Sequence, residues 1–289
     1  MTDERMNIQW YPGHMTKTRR RLEEDLRLVD AVCEIVDARI PASSRNPDID
    51  AICGDKPRMV ILNRIDMADA RMTDIWAANL RSRGFAVVRT DCKNRRGLDK
   101  FLPAVRELLA DKLRRYAEKG FVNKPLKLMV VGIPNVGKST FINQIAGRKG
   151  AKAENRPGVT RGTQWVTVDR GLLLLDTPGI LWPKFDDEEV GRRLAYTGAV
   201  KDDVLDRETL AANLMRMLWQ RYPDALRERY KLEAAEDGSG FALLESAAKK
   251  RGFLLSGGVA DTERMARVLL EEFCSCKIGR FTLEAPDEI

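Results

Sequence analysis

The stretch Gly132-Ile133-Pro134-Asn135-Val136-Gly137-Lys138-Ser139 constrains this chain more than any other. It fits G-x-x-x-x-G-K-[ST], a loop whose backbone N–H groups cradle phosphates. Its surroundings supply the context such a loop requires. Before it, Leu126-Lys127-Leu128-Met129-Val130-Val131 is an apolar, β-branched run that reads as a buried strand. After it, residues 140–147 read as a short helix stopped by glycine. Glycines let the backbone curl around a β-phosphate. The Lys138 ammonium can reach the β- and γ-phosphates, and the Ser139 hydroxyl can hold Mg²⁺. Asn135, Val136, Gly137, Lys138, Ser139 and Thr140 are therefore assigned to a nucleoside triphosphate, with the base unspecified.

Composition narrows the rest. At 289 residues, 44% hydrophobic and 32% charged, the chain suits two domains with a substantial core. It holds no apolar run of about 18 residues, so no membrane insertion is expected. Five scattered cysteines without C-x-x-C, beside a single histidine, argue against a zinc site and for a reducing cytoplasm. The net charge is +7, and it is uneven. From Val200 onward there are 14 basic and 17 acidic residues, which leaves 36 basic and 26 acidic in the first 199. That excess makes a polyanionic partner plausible for the first part.

Strands and helices alternate along the first part, which implies a parallel, helix-covered sheet. Expected strands are 31–37, 59–62, 85–88, 126–131, 163–168 and 172–175. A helix with an apolar stripe at Leu22, Leu26 and Val29 precedes them, and one continuous helix is expected over 97–119. From about Asp206 the spacing reads as all helix, with Asp206 and Asp261 as N-caps.

The loops after these strands carry the chemistry. Asn63-Arg64-Ile65-Asp66 follows a buried run. A carboxylate there can accept from guanine N1–H and N2–H₂, and adenine would leave it unpaired, so Asp66 favours guanine. The stretch resembles the N-K-x-D motif of GTPases, with Arg64 where lysine is usual and able to stack on the base. Asp91-Cys92-Lys93, followed by Gly97, resembles the S-A-K loop that meets guanine O6, with Cys92 at the small-residue position. Thr160 resembles the switch I threonine that closes on Mg²⁺ and the γ-phosphate. Asp176-Thr177-Pro178-Gly179 resembles D-x-x-G, with Asp176 in the Mg²⁺ shell and the Gly179 N–H facing the γ-phosphate.

In most GTPases the phosphate loop comes first. Here the guanine motifs precede it, an order that rebuilds one sheet only if the chain is circularly permuted. The fold class expected is α/β: a circularly permuted P-loop GTPase sheet covered by helices, then a small all-α domain. Expected boundaries are 1–184 for the GTPase domain, 185–204 for a linker and 205–289 for the helical domain.

Across nearly its whole length the chain resembles the ribosome biogenesis GTPase A family. The resemblance rests on Trp10-Tyr11-Pro12-Gly13-His14-Met15, Asp37-Ala38-Arg39-Ile40-Pro41, the permuted motifs, and Lys277-Ile278-Gly279-Arg280. It implies a bacterial cytoplasmic GTPase, with GTP as substrate, GDP as product and Mg²⁺ as cofactor, that acts late in assembly of the large ribosomal subunit. It implies too that the C-terminal helices contact ribosomal RNA. A monomer is expected, with no DNA partner. Ile180 stands where Ras-like proteins place a water-orienting glutamine. The resemblance assigns that task to His14, the only histidine, alongside Lys138, Thr160 and Gly179 as catalytic groups. Asn135 matches an asparagine that binds K⁺ in some related GTPases. Two alternatives stay open: a regulatory GTPase acting away from the ribosome, and a P-loop ATPase or kinase with accidental guanine motifs.

Overall fold

The computed structural model describes residues 15–121, 124–147, 164–169, 171–179, 187–200, 206–233 and 239–288. The chain forms two compact units. Among the described residues one unit comprises 15–179 together with 284–288, and the other comprises 187–283.

The first unit is built on a six-stranded sheet: β1 (Ala31–Asp37), β2 (Arg58–Asn63), β3 (Ala86–Arg89), β4 (Leu126–Val131), β5 (Gln164–Asp169) and β6 (Leu172–Asp176). The spatial order is β3-β2-β1-β4-β6-β5. All neighbouring pairs are parallel except β5 with β6. β4, which carries the phosphate loop, is central although it is fourth in the chain. The guanine-motif strands lie on one side of it and β6 on the other. This is the arrangement that circular permutation requires. Five parallel strands end on the same edge, and the order reverses between β1 and β4, where open α/β sheets bind ligands.

Every residue of β1 is buried, because helices cover the sheet. α1 (Met15–Leu26) lays Leu22 and Leu26 on Val32, Met129, Val131 and Leu175, in a cluster that also takes in Ile49 and Cys53 of α2 (Pro47–Cys53). The expected stripe is thus the buried face. α3 (Ala70–Ser82) places Trp76, Ala77 and Leu80 on Val36, Val60 and Leu62. The Asp69 carboxylate caps α3 by accepting from the Met72 N–H. The helix expected over 97–119 is divided. A 3₁₀ turn at Leu98–Lys100 leads into α4 (Phe101–Leu108), and α5 (Ala110–Glu118) follows after Leu109, whose ψ of 22° leaves the helical region. Apolar spacing runs straight through this break, so periodicity alone does not reveal it. α6 (Lys138–Ile145) begins at the lysine of the loop, two residues earlier than expected. Phe101 and Phe141 meet edge to face at 5.0 Å, which ties α4 to α6.

The second unit holds α7 (Glu188–Tyr196), α8 (Arg207–Arg221), α9 (Pro223–Tyr230), α10 (Gly240–Lys250) and α11 (Thr262–Cys274). Asp206 and Asp261 cap α8 and α11 as expected, and Ser239 caps α10. Leu210, Leu214, Leu218, Leu243, Leu244 and Leu269 are fully buried. Three features depart from the sequence expectation. Residues 188–196, inside the expected linker, form α7, and the acids at 186–189 read in the sequence as its start. Residues 254–260 form a tight hairpin through the antiparallel bridge of Leu254 with Ala260, made possible by positive φ at Gly257 and Gly258. Residues 284–288 belong to the sheet-bearing unit. Among the described residues no helix is long and apolar enough to cross a membrane.

Candidate nucleotide site

Each described motif sits at the carboxyl edge of the sheet. The phosphate loop leaves β4 at Gly132, where an added Cβ would lie 2.8 Å from the Ile35 carbonyl oxygen of β1. The loop then alternates its backbone hand, with φ of 64° at Asn135 and 96° at Gly137. Such alternation turns successive N–H groups toward a common centre. Gly137 has no room for a side chain: its Cβ would lie 2.4 Å from Asn63 Nδ2.

Asn63 joins three loops. Its Nδ2 donates to the Val136 carbonyl at 2.8 Å. Its Oδ1 accepts from the Thr90 hydroxyl at 3.1 Å and from the Cys92 N–H at 3.3 Å. All three residues that it meets are buried, as is Asn63 itself. Arg64 has φ of 62° and directs Nη2 to the Asn135 carbonyl at 2.6 Å, while its Nε stands 3.6 Å from Asp37 Oδ2. The guanidinium therefore braces the phosphate loop. Asp66 is half-buried in the turn that follows.

The loop after β3 is shaped by Asp91. Its carboxylate accepts from the Asn94 N–H at 3.0 Å and from Asn94 Nδ2 at 2.7 Å, and its backbone pairs with Arg96. The side chain is therefore spent on the loop itself. Gly97 closes the turn at φ of 75°, where a Cβ would lie 2.1 Å from the Arg89 carbonyl oxygen. Cys92 is buried, and burial pushes its thiol up to about 11. It stays a neutral, small packing residue. Lys93 is exposed.

On the other side of the loop, Lys138 is 7% exposed and its ammonium is 2.5 Å from Asp176 Oδ1 at the end of β6. Ser139 and Thr140 are exposed on the first turn of α6. Thr177 donates its hydroxyl to the Val130 carbonyl at 2.8 Å and so holds the D-x-x-G turn against β4. A Cβ on Gly179 would lie 3.1 Å from the nitrogen of Pro134, so this glycine approaches the phosphate loop directly. A hydroxyl on Ser139 and a carboxylate on Asp176, both oxygen donors, fit a hard Mg²⁺ ion. Among the described residues no cluster of three or more His, Cys, Asp or Glu suggests a separate metal centre. His14, Thr160 and Ile180 lie outside the described residues.

Residues 127–218 match the family model described as a 50S ribosome-binding GTPase. The chain is 47% identical to ribosome biogenesis GTPase A of Priestia megaterium over 286 residues, covering 98% of each. It is 44% identical to the Bacillus cereus protein of that name, covering 98% of this chain and 95% of the relative. This chain belongs to the ribosome biogenesis GTPase A family. A GNP-bound YlqF from T. maritima shares the fold, with a TM-score of 0.63 and 26% identity, covering 94% of this chain and all of that one. The family membership makes the chain a guanine-nucleotide-binding GTPase, and it sets aside the ATPase or kinase alternative.

The geometry adds supports that sequence reasoning missed. Thr90 and Thr177 are single hydroxyls at strand ends, each aimed at a neighbouring loop or strand. A polar residue closing a buried run was the available signal for both. Asp37 carries a signal too, in Asp37-Ala38-Arg39. Its carboxylate accepts from Arg39 Nε at 3.0 Å and Nη2 at 2.7 Å, both side chains being buried. Burial alone would raise the Asp37 carboxyl, but the Arg39 guanidinium, with Arg64 adding to it, outweighs burial and holds it below the usual carboxylate range. It stays ionised as the anchor for both arginines.

Proposed function

We propose that this GTPase is an assembly factor for the large ribosomal subunit that times its own release by hydrolysing GTP. The observation that carries the proposal is the near full-length relation to ribosome biogenesis GTPase A, combined with a complete phosphate loop braced by the guanine motif. In this reading Asp66 pairs with guanine, while the backbone of 91–93 meets its O6. Asn63 and Arg64 hold the loop that receives the phosphates. Lys138 neutralises the β- and γ-phosphates, moving off Asp176 as they arrive. Ser139, Thr160 and Asp176 would hold Mg²⁺, which would supply charge neutralisation for the phosphates. The Gly179 N–H senses the γ-phosphate, and its close approach to Pro134 supports that role.

His14 orients the attacking water in this proposal, since Ile180 cannot. Asn135 contributes to a K⁺ site. The precursor of the large subunit and its ribosomal RNA are the partners, met by the helical unit. The protein works in the cytoplasm as a monomer, without DNA and without membrane insertion. Loss of the γ-phosphate releases the segment after Gly179 and so changes how the helical unit holds RNA.

GTP turnover measured with and without large subunits, for the native chain and for His14→Ala, tests the reading. Strong stimulation that the substitution abolishes is expected. Absence of stimulation removes the ribosomal partner, and unchanged stimulated turnover in the variant removes His14. Equal affinity for ribosomal precursors in GTP-analogue and GDP states removes the switch.

A further inference from the structure

A run of polar contacts ties the phosphate loop to a residue far along the chain. Glu284 is fully buried. It lies in the sheet-bearing unit, although Leu283, directly before it, belongs to the helical unit. Its carboxylate accepts from the backbone N–H of Ala42 at 2.7 Å and of Ser43 at 3.0 and 3.2 Å, and from the Ser43 hydroxyl. The Glu284 carbonyl accepts from Trp76 Nε1 at 3.0 Å. A carboxylate holding two amides and a hydroxyl in a dry site is firmly fixed, and charge-assisted bonds of this kind are about twice as strong as neutral ones.

The contacts continue from the 42–44 loop to the nucleotide site. The Ser44 hydroxyl accepts from the Asp37 N–H at 2.9 Å. The Asp37 carboxylate stands 3.6 Å from Arg64 Nε, and Arg64 Nη2 donates to the Asn135 carbonyl of the phosphate loop. Arg64 and Asn135 both adopt positive φ, at 62° and 64°. Asparagine tolerates this region, but an arginine keeps such a conformation only where its surroundings over-determine it. Asp37 and the two mutual partners supply that determination. What holds Asp37 and its loop therefore also helps hold the phosphate loop.

We propose that Glu284 is a positioning residue for the guanine-nucleotide site, the latch through which the helical unit adjusts nucleotide binding. The inference rests on the reading of the phosphate loop given under the proposed function. Leu283 of the helical unit and Glu284 are neighbours in the chain. A partner that displaces the helical unit loads the latch and loosens Arg64 on Asn135. Reciprocity requires the converse: bound nucleotide tightens the latch by the same factor.

The full chain supports a two-part test with a fluorescent GDP analogue as probe. GDP dissociation is measured for the native protein, for Glu284→Gln and for Glu284→Ala. Hydrogen exchange at the Ala42 and Ser43 amides is measured in the native protein with and without GDP. Dissociation at least about fivefold faster in the variants is expected, with protection of the two amides rising when GDP binds. Ligand binding raises protection wherever exchange goes through global unfolding, so the core amides of Ile61 and Leu62 are read beside them. A residue that merely staples the fold would make the Ala42 and Ser43 amides respond no more than these. Dissociation unchanged in a folded variant, or amide exchange indifferent to GDP, overturns the proposal. If neither variant folds, the native exchange measurement decides alone. Failure of the native protein to bind GDP would instead overturn the reading of the site.

Discussion

The Asn63 side-chain amide donates to the Val136 carbonyl at 2.8 Å, so the end of β2 carries the crest of the phosphate loop. The same side chain accepts from Thr90 and Cys92. Replacing it with alanine leaves a buried carbonyl and two donors without their partner. Asn63→Ala is expected to lower stability by about 1–3 kcal/mol and to weaken GDP and GTP alike. Asn63→Asp should do no better, since a carboxylate cannot donate to Val136. Denaturant unfolding and nucleotide titration of both variants check this, and full nucleotide affinity in either variant would count against the bracing role.

Gly137 and Gly120 separate backbone strain from collision. Both have positive φ, at 96° and 70°, but only Gly137 faces a side chain within reach of a Cβ. Gly120→Ala should cost roughly 1 kcal/mol and leave nucleotide binding intact. Gly137→Ala must also push Asn63 off Val136, so GDP binding should be lost while the fold persists. Circular dichroism beside GDP titration distinguishes the two outcomes.

Asp66 tests base recognition. Asp66→Asn replaces two acceptors with one acceptor and one donor, and is expected to weaken GTP at least about tenfold. Xanthine carries a carbonyl where guanine has its amine, so the variant should gain affinity for XTP. Competition between the two nucleotides on native and variant protein reads this directly, and unaltered preference would remove Asp66 from the base site.

The helical unit has its own charge hub. Glu272 is 7% exposed and accepts from Arg229 Nε at 3.0 Å, from the Tyr230 hydroxyl at 2.8 Å and from Arg251 Nη2 at 3.2 Å. Burial alone would raise its carboxyl. The hydrogen bonds from Arg229 and Tyr230, with the Arg251 charge, outweigh burial and bring it from 4.5 to about 2. A depressed carboxyl stabilises the fold above its unfolded value and loses that contribution as the pH falls through its folded value. The contribution, reduced by solvent screening to no more than about 1–2 kcal/mol, is present at neutral pH and lost between about pH 4.5 and pH 2. Glu272→Gln should therefore flatten the acid limb of a stability-versus-pH curve. An acid limb identical to the native one would show that other groups govern it.

How much of this was legible depended on whether the constraint was local. The strands at the nucleotide edge were readable because each is a buried apolar run ending in a polar loop, and the phosphate loop because Gly132 and Gly137 answer to backbone demands. The break at Leu109 was hidden, since Val105, Leu109 and Leu113 keep helical spacing across it. The hairpin at 254–260 had a signal in Gly257 and Gly258 that a purely periodic reading passes over. Arg64 could be placed beside the site but not on Asn135, because 71 residues separate the partners. Glu284 had no signal at all. A glutamate in an extended segment looks like any surface acid, and its partners at Ala42 and Ser43 lie more than 240 residues away.

That separation bears on how the protein itself is made. All six strands have been synthesised once Asp176 is in place, yet Glu284 is added only after the whole helical unit. A nascent chain can thus pair its sheet early and still lack the carboxylate that fixes the loop after β1. The sheet unit should mature in two stages, with firm nucleotide retention arriving at the second.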